Sequence, residues 1–404
     1  MGNRQGRRQA QVTTIQHQPE QAAMRGLLQA VSDTLGHAVA PEWVEAAHAT
    51  PRHQFLPERI WLNDGNDTYI PCDLQDNPSG WFAAAYANAP VVTQVCDGRE
   101  PEDGEVWPSS SASAPSIVLQ MLEALDVQDG MTALEIGTGT GWNCALLCHH
   151  LGDANVVSIE VDPEVIAGAR TSLANAGRHP EVVCADGSRG WELRAPYDRV
   201  LFTCSVRRLP LPVLQQTKPG GVILTPWDNP WMTWGLLRLA VGENGTAVGR
   251  FSPDSAFMTI RQQRTDLRIF RDVVSEDHVP DQSETTLARR CVVAGDAGFS
   301  VGMRLGDVWH AWQDSPIEGV HDRLWLATTD GTSWAAVDHD GGEEDRFTVY
   351  QYGPRRLWDE AEAAYAWWVE NDRPGPARFG MTVVPDGSHR AWLDRPANDW
   401  QLRG

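Results

Sequence analysis

The order of hydrophobic and polar positions predicts an opening helix, an irregular region, and then a long alternation of strands and helices. Apolar residues recur at helical spacing between Pro19 and Gly36, which predicts a short amphipathic helix. From Pro51 to Trp107 the chain is rich in Pro, Asn, Asp and Gly, a composition that favours loops and small strands. This irregular region is a candidate binding surface.

The alternation begins with a helix whose apolar spacing runs from Pro115 to Leu125. Short runs rich in β-branched residues follow, namely "TALEIG", "NVVSIEV", "PEVVCA", "DRVLFTC" and "VILTPW". Among them lie segments of helical pattern, "NCALLCHHLG", "PEVIAGARTSLANAG" and "LPVLQQTKPGG". Nearly continuous apolar strands between helices are typical of a parallel sheet covered on both faces, so we expect a doubly wound α/β domain.

The pattern changes after a hairpin signal at Asn244 and Gly245, and we place a domain boundary near Arg264. Beyond it, "DRLWLATTDGTSWAAVDH" and "FGMTVVPDGSHRAWLD" predict two hairpins with Asp-Gly turns, separated by the helix "RRLWDEAEAAYAWWVEN". Residues 265–404 are therefore expected to form a C-terminal α+β extension with an aromatic core. An aromatic peptide-binding face is the alternative for some of its tryptophans.

Charge and composition narrow the classes of partner. The 54 acidic against 33 basic side chains give a formal net charge of -21, which argues against a nucleic-acid partner. The basic residues Arg4, Arg7 and Arg8 lie in a polar leader, residues 1–18, which lacks the apolar region of an export signal and is expected to be disordered. No stretch is apolar enough to span a bilayer, and seven scattered cysteines suit reduced thiols, so we expect a cytoplasmic protein without a membrane partner.

The segment "LEIGTGTGWN" joins the first strand of the alternation to a helix and carries five candidate cofactor-binding residues: Glu135, Gly137, Thr138, Gly139 and Gly141. Glycines permit a tight turn and close approach of a ligand to the backbone. A dinucleotide fingerprint needs its third glycine one place later, where Trp142 stands. An acidic residue before the turn suits a ligand with an ammonium group, such as S-adenosylmethionine.

Two further strand ends support the same cofactor. Glu160 follows the second strand, where a carboxylate can accept both ribose hydroxyls, and Asp186 with Gly187 follows the third, where the adenine amino group would lie. The sequence therefore favours S-adenosylmethionine, with S-adenosylhomocysteine as product, over a degenerate nucleotide fold without activity. We predict no metal site, because Cys144 and Cys148 are better explained as the buried face of a helix.

Residues 19–264 resemble the protein-L-isoaspartate O-methyltransferase family. The resemblance is carried by "TPRHQFLPE", "SASAPSIVLQMLEAL", "LEIGTGTGWN", "ADGSRGW" and "APYDRVLFTC", which occur in the family's order and spacing. It implies a Rossmann-like, class I S-adenosylmethionine-dependent methyltransferase domain that acts on a carboxylate. It also places Ser113 on the family's active-site serine and Ser111 on a neighbouring threonine, as the candidate catalytic pair.

A carboxylate is ionised at neutral pH, so methyl transfer needs placement rather than a general base. The serine run and a helix N-terminus at Pro115 would make a neutral cradle for it, with Ser109 and Ser110 as substrate-binding candidates. Helix capping within a flexible loop is the alternative for these two serines. Arg207 is a candidate partner of the substrate carboxylate, against the simpler interpretation of a solvated surface arginine.

Departures from compact repair enzymes resemble the family branch found with ribosomally made, modified peptides such as graspetides and lanthipeptides. These departures are "SSSASAP", "AYANAPVVTQ", "TCSVRRLP", "GPRRLWDEAE", "FGMTVV" and the whole C-terminal extension. The resemblance implies methylation of an ordinary aspartate in a macrocyclised precursor peptide, followed by aspartimide formation, with residues 265–404 gripping the peptide. Isoaspartate repair and a cofactor-dependent binding protein are the alternatives. The oligomeric state stays open.

Overall fold

The computed structural model describes residues 5–65, 68–100, 106–232, 235–252, 256–314, 319–342 and 346–403, with side chains from Glu20 onwards and without that of Asp314. The chain divides into two compact units. The first comprises Met1–Thr203 and Gln216–Leu224, and the second comprises Cys204–Gln215 and Thr225–Gly404. The boundary expected near Arg264 thus lies inside the second unit.

The first unit opens with two helices, α1 (Gln5–Leu35) and α2 (Pro41–Ala49). The predicted amphipathic face of α1 is present, because Met24, Leu27, Leu28 and Val31 are all buried. The helix begins at Gln5 and so extends into the leader expected to be disordered. Gln, Arg and Ala have high helix propensity, which an argument from polarity alone overlooks. Arg4 and the side chains of Arg7 and Arg8 lie outside the described residues.

The irregular region forms a small antiparallel sheet around one helix. Its elements are β1 (Arg59–Asn63), β2 (Tyr69–Asp73), α3 (Pro78–Ala85), β3 (Val91–Val95) and β4 (Pro108–Ala112), and the strand order is β2-β1-β3-β4. The helix α3 is absent from the predicted elements, although its N-cap residue, Asn77, accepts a hydrogen bond from the Gly80 amide at 3.0 Å. Ser109, Ser110 and Ser111 lie in β4, which is hydrogen-bonded to β3, so the alternative of a flexible loop does not describe them.

The predicted α/β alternation follows α4 (Pro115–Leu125). It comprises β5 (Ala133–Ile136), α5 (Trp142–Leu151), β6 (Val156–Glu160), α6 (Pro163–Asn175), β7 (Glu181–Cys184), β8 (Tyr197–Phe202) and β9 (Thr217–Pro226). All four pairings among these strands are parallel, in the order β7-β6-β5-β8-β9. The order reverses at β5, which places ligand-binding loops at its carboxyl end.

The second unit contains two antiparallel sheets. Its elements are α7 (Leu211–Gln215), β10 (Leu236–Val241), β11 (Ala247–Ser252), β12 (Asp281–Thr285), α8 (Gly295–Leu305), β13 (Val308–Asp314), β14 (Asp322–Thr328), β15 (Trp334–His339), β16 (Phe347–Tyr352), α9 (Leu357–Glu370), β17 (Phe379–Val383), β18 (His389–Leu393) and β19 (Asp399–Gln401). One sheet has the order β12-β16-β15-β14-β13, and in the other β11, β17, β18 and β19 follow β10.

The predicted hairpins of this unit, β10–β11, β14–β15 and β17–β18, occur where their turn residues indicated. The helix expected over "LPVLQQTKPGG" is shorter than predicted, because "TKPGG" begins β9. No pattern in the sequence predicts that β17 pairs with β11, a strand that precedes Arg264 in the chain. Among the described helices, none is both long and apolar enough to cross a membrane.

Candidate functional site

The glycine loop between β5 and α5 has the conformation that its sequence predicts. Gly137, Gly139 and Gly141 have φ angles of 99°, 53° and 88°, a left-handed region that favours glycine. The amides of Gly137 and Thr138 both donate to the Ile159 carbonyl of β6, at 2.8 and 3.0 Å. The loop is therefore fastened to the neighbouring strand and presents a surface free of side chains at its glycines.

Glu135 lies buried beneath this loop. Its Oε1 accepts a hydrogen bond from Asn143 at 2.6 Å, its Oε2 accepts one from the Ser158 hydroxyl, and that hydroxyl lies 2.6 Å from the hydroxyl of Thr138. Burial raises the pKa of Glu135 to about 7, partly offset by these hydrogen bonds. The side chain thus holds the loop from inside the protein, and its predicted contact with a ligand ammonium group stays a prediction.

Glu160 stands at the edge of the glycine loop, as expected. One of its carboxylate oxygens accepts from the Gly139 amide at 3.0 Å, and the other accepts from the amides of Val161 and Asp162 at 2.9 and 3.1 Å. The side chain is only half-buried, so it keeps access to a ligand. The structure therefore brings two predicted cofactor residues, Gly139 and Glu160, into direct contact.

Asp186 and Gly187 follow β7, whose last residue, Cys184, pairs with Glu160 in the sheet. Asp186 caps a short 3-10 turn by accepting from the Ser188 amide at 2.9 Å, and Gly187 is buried within that turn. These residues lie at the next strand end along the same edge of the sheet. This is the arrangement that the sequence predicts for an adenine-binding turn.

Ser109 has a different position from the one expected of a substrate-binding residue. Only 7% of it is exposed, and its hydroxyl donates to Gln94 Oε1 at 2.9 Å. Gln94 in turn donates to Asp162 at 3.1 Å, and Asp162 caps α6 by accepting from its first amides. Ser109 therefore links β4 to the end of β6 from the inside. The hydroxyl of Ser110 lies 3.4 Å from that of Thr93 in β3.

Ser111 and Ser113 are half-buried at the end of the same strand. Within the described residues, the structure assigns neither hydroxyl a hydrogen-bond partner. A Cβ atom built on Gly139 would lie 3.8 Å from the Ser111 carbonyl oxygen, which is van der Waals contact. The backbone of Ser111, one of the two candidate catalytic serines, therefore borders the glycine loop.

The helix N-terminus behind these serines is less available than expected. Pro115 carries no amide proton, and the next amide, that of Ser116, donates to Asn88 Oδ1 at 2.9 Å. The side chain of Asn88 thus accepts the hydrogen bond that a substrate carboxylate was expected to accept. No local pattern predicts this cap, because Asn88 is far from Ser116 along the chain.

Arg207 belongs to the second unit and is engaged there. Its guanidinium donates to the Thr265 hydroxyl at 2.8 Å and lies 3.7 Å from Oδ1 of the buried Asp228. Its main-chain amide donates to Gln263 at 2.6 Å. These contacts do not fit the alternative interpretation, a solvated surface arginine. Its proposed pairing with a substrate carboxylate stays a prediction.

Arg52 has no role among the sequence-based predictions, and the structure buries it completely. Its two terminal nitrogens donate to six main-chain carbonyls, at 3.1 to 3.4 Å: Ala84, Ala85, Ala87, Ala89, Ala112 and Ser113. Burial lowers the pKa of the guanidinium to about 10, so it remains charged at neutral pH. Arg52 therefore fixes the backbone of Ser113. The one signal available was an arginine inside the quoted "TPRHQFLPE" motif.

Comparisons with known proteins concern the family and the fold of the chain. The family described as Protein-L-isoaspartate(D-aspartate) O-methyltransferase (PCMT) matches residues 78–264. The Protein-L-isoaspartate O-methyltransferase of Ignicoccus hospitalis is 37% identical over 196 residues, which are 48% of this chain and 77% of that protein. The enzyme of the same name from Pyrococcus horikoshii is 38% identical over 135 residues, 33% of this chain and 61% of the relative, so less than two thirds of it is spanned.

A solved structure named protein-L-isoaspartate O-methyltransferase superimposes with a TM-score of 0.51 at 18% identity, covering 92% of this chain and all of the other. At this identity the likeness concerns the fold alone. It supports the methyltransferase architecture predicted from the strand order and the glycine loop.

The fold is that of an S-adenosylmethionine-dependent methyltransferase. On the strength of its curated relatives, the chain belongs to the protein-L-isoaspartate O-methyltransferase family. Membership agrees with the predicted enzyme class, a carboxyl O-methyltransferase, and with the predicted methyl donor.

Replacing Arg52 with lysine tests its role as the clamp on the Ser113 backbone. Lysine keeps the charge but offers three N–H donors in place of five, so several buried carbonyls lose their partners. At about 1–3 kcal/mol for each unsatisfied group, we expect the free energy of unfolding to fall by more than about 3 kcal/mol. Urea unfolding measures it. The control Arg59→Lys alters an exposed arginine paired with Asp73 and should cost less than about 1 kcal/mol; equal losses would contradict the clamp.

The pKa of Glu135 predicts a pH dependence of stability. Because the pKa is raised to about 7 in the folded chain, folding is favoured by the proton that Glu135 holds. This contribution is complete below about pH 4, the ordinary value for the unfolded chain, and is lost as the pH rises to about 7.

Glu135→Gln removes this contribution. We expect the wild-type chain to lose up to about 3 kcal/mol relative to the variant across that range, measured by urea unfolding at a series of pH values. Glu164→Gln, at an exposed position of α6, controls for the removal of a carboxylate. A constant difference between wild type and Glu135→Gln would show that Glu135 does not titrate there.

Proposed function

We propose that this protein transfers the methyl group of S-adenosylmethionine to the free α-carboxylate of isoaspartyl residues in peptides or proteins. The observation that carries the proposal is the contact between the Ser111 backbone and the glycine loop at Gly139. This proximity supports a role for Ser111, which matches a family active-site position, beside the candidate cofactor loop. Family membership supports the same reaction, since the curated relatives carry the name protein-L-isoaspartate O-methyltransferase.

The candidate cofactor residues suit S-adenosylmethionine. Gly137 and Gly139 leave the loop surface open to close approach, and the half-buried carboxylate of Glu160 suits a pair of ribose hydroxyls. When bound, the cofactor supplies an electrophilic methyl group on a positive sulfonium. We therefore assign Gly139 and Glu160 to its binding, with Asp186 and Gly187 at the adenine end.

The remaining role of the site is to position the substrate carboxylate. A substrate carboxylate is already ionised at neutral pH, so no side chain needs to remove a proton. The hydroxyls of Ser111 and Ser113, free of other partners within the described residues, would donate hydrogen bonds to one carboxylate oxygen and leave the other to accept the methyl group. Arg52 acts on this step through the backbone, because it holds the Ser113 carbonyl at 3.1 Å.

A second candidate is methylation of an ordinary aspartate in a macrocyclised peptide. The ester would then be attacked by the following backbone amide nitrogen, which expels methanol and leaves an aspartimide. One observation favours it: the second unit has an aromatic groove of about 300 Å³, lined by Phe270, His278, Trp325, Trp334 and Tyr350 among others. In this candidate, residues 265–404 recognise the peptide.

The C-terminal extension by itself does not favour the second candidate. The solved structure named protein-L-isoaspartate O-methyltransferase covers 92% of this chain, so much of the extension has a counterpart in a protein of that name. This weakens one of the two features that favour peptide tailoring in the sequence, the C-terminal extension, and leaves the other, the altered serine loop. We therefore give isoaspartyl methylation precedence.

Mass spectrometry with three substrates distinguishes the candidates. The full chain and S-adenosylmethionine are incubated with an isoaspartyl peptide, with the same peptide carrying ordinary aspartate, and with a cyclised graspetide precursor. We expect the isoaspartyl peptide to gain a methyl group and the matched peptide with ordinary aspartate to gain none. Methyl gain followed by methanol loss on the cyclised precursor alone would instead establish the tailoring reaction and overturn the first proposal.

Ser113→Ala tests the carboxylate-binding role of the candidate serine. Loss of one hydrogen bond to a charged group, about 1.5–3 kcal/mol, corresponds to a fall in kcat/KM of roughly 10- to 100-fold with the preferred substrate. Ser111→Ala should act in the same direction. Thr171→Ala, an exposed residue of α6, is the control and should leave kcat/KM unchanged. Unaltered kcat/KM in both serine variants would exclude these hydroxyls from the reaction.

A further inference from the structure

Three side chains with metal-ligating atoms converge at one end of the β14–β15 pair, within the second unit. Asp322 is the first residue of β14 and pairs with His339, the last residue of β15. His321 immediately precedes β14, and its main-chain amide donates to the His339 carbonyl at 2.7 Å. One ligand atom from each side chain lies within 4.8 Å of the others. Pairing of the two strands thus brings residues from separate parts of the chain into one cluster.

The environment of His339 is the strongest evidence that the cluster binds a ligand. It is only 8% exposed, and within the described residues neither of its ring nitrogens has a hydrogen-bond partner. Its Nδ1 lies 3.8 Å from Asp322 Oδ2, which is too far for a hydrogen bond. A buried imidazole with both nitrogens unsatisfied is costly, and it is aimed at a carboxylate it does not reach. A cation between the two groups would give Nδ1 of His339 a partner.

We propose that His321, Asp322 and His339 form a binding site for a divalent transition-metal ion of the zinc class. Ligands held about 2.0–2.2 Å from a tetrahedral ion stand roughly 3.4 Å apart. The Asp322 Oδ2 atom lies 3.2 Å from His321 Nδ1 and 3.8 Å from His339 Nδ1, so small side-chain movements suffice. Two imidazoles and a carboxylate are a donor set that suits Zn²⁺ or Co²⁺.

Two neighbouring features shape the expected behaviour of the site. His321 is 71% exposed at its side chain, so an ion can enter from solvent, and the fourth position is left for water. Arg289 holds Asp322 through two hydrogen bonds of 2.5 Å, from Nε and Nη2. These bonds orient the ligand carboxylate, as outer partners of metal ligands commonly do. The positive charge of Arg289 opposes the ion, so we expect weaker binding than in structural zinc sites.

Cobalt titration of the full, chelator-treated chain tests the proposal. We expect one equivalent of Co²⁺ to bind with the visible d–d bands of a tetrahedral ion, without a thiolate charge-transfer band, and one equivalent of Zn²⁺ to displace it. His339→Ala and His321→Ala should each weaken Co²⁺ binding at least tenfold. His37→Ala removes an exposed histidine of the first unit and should leave the titration unchanged. No binding to the wild-type chain, or several weak equivalents, would overturn the site.

A second variant keeps the test independent of folding defects. His339→Cys replaces one ligand with another and should retain Co²⁺ while adding a thiolate-to-cobalt charge-transfer band absent from the wild type. A merely structural role for His339 would not produce that band. Retained d–d bands without it, or a thiolate band already present in the wild-type chain, would place the ion elsewhere.

Discussion

The position of the candidate catalytic residue Ser113 depends on one set of interactions, the hydrogen bonds of the buried Arg52 guanidinium. A guanidinium has five N–H donors and no acceptor, so its burial requires acceptors to converge on it. Here the acceptors are six main-chain carbonyls, and among the described residues no carboxylate pairs with it. The charge therefore fixes three backbone stretches at once: residues 52–55, residues 84–89 and the end of β4. The position of Ser113 follows from this constraint.

Polar contacts then connect β4, the strand that carries the serines, to the candidate cofactor-binding residue at the end of β6. Ser109 bonds Gln94, Gln94 bonds Asp162, and Asp162 caps α6 just after Glu160. On the other side of the loop, buried Glu135 is joined to β6 through the Ser158 hydroxyl. Because each link is buried or half-buried, a change at one residue leaves an unsatisfied partner at the next. Residues first considered as ligand contacts thus also hold the site together.

The distinction between side chains that face ligands and side chains that face the protein explains most differences from the sequence-based expectations. The four serines look equivalent in "PSSSASAP", yet burial separates Ser109, which is hydrogen-bonded inside, from Ser111 and Ser113, which are half-buried. In the same way Asn88 occupies the helix amide that was expected to await a substrate. Both outcomes depend on which residues from distant segments pack nearby.

The sequence by itself determined the α/β alternation, the glycine loop, the hairpins of the second unit and the family, because these depend on local periodicity, turn chemistry and motif spacing. Only the tertiary structure decided that the serine run is a strand, that β17 pairs with β11, and that Arg52 clamps six carbonyls. It also brought His321, Asp322 and His339 together. The reason is physical: strand pairing and the satisfaction of buried polar groups join residues far apart in the chain, and no local pattern records their partners.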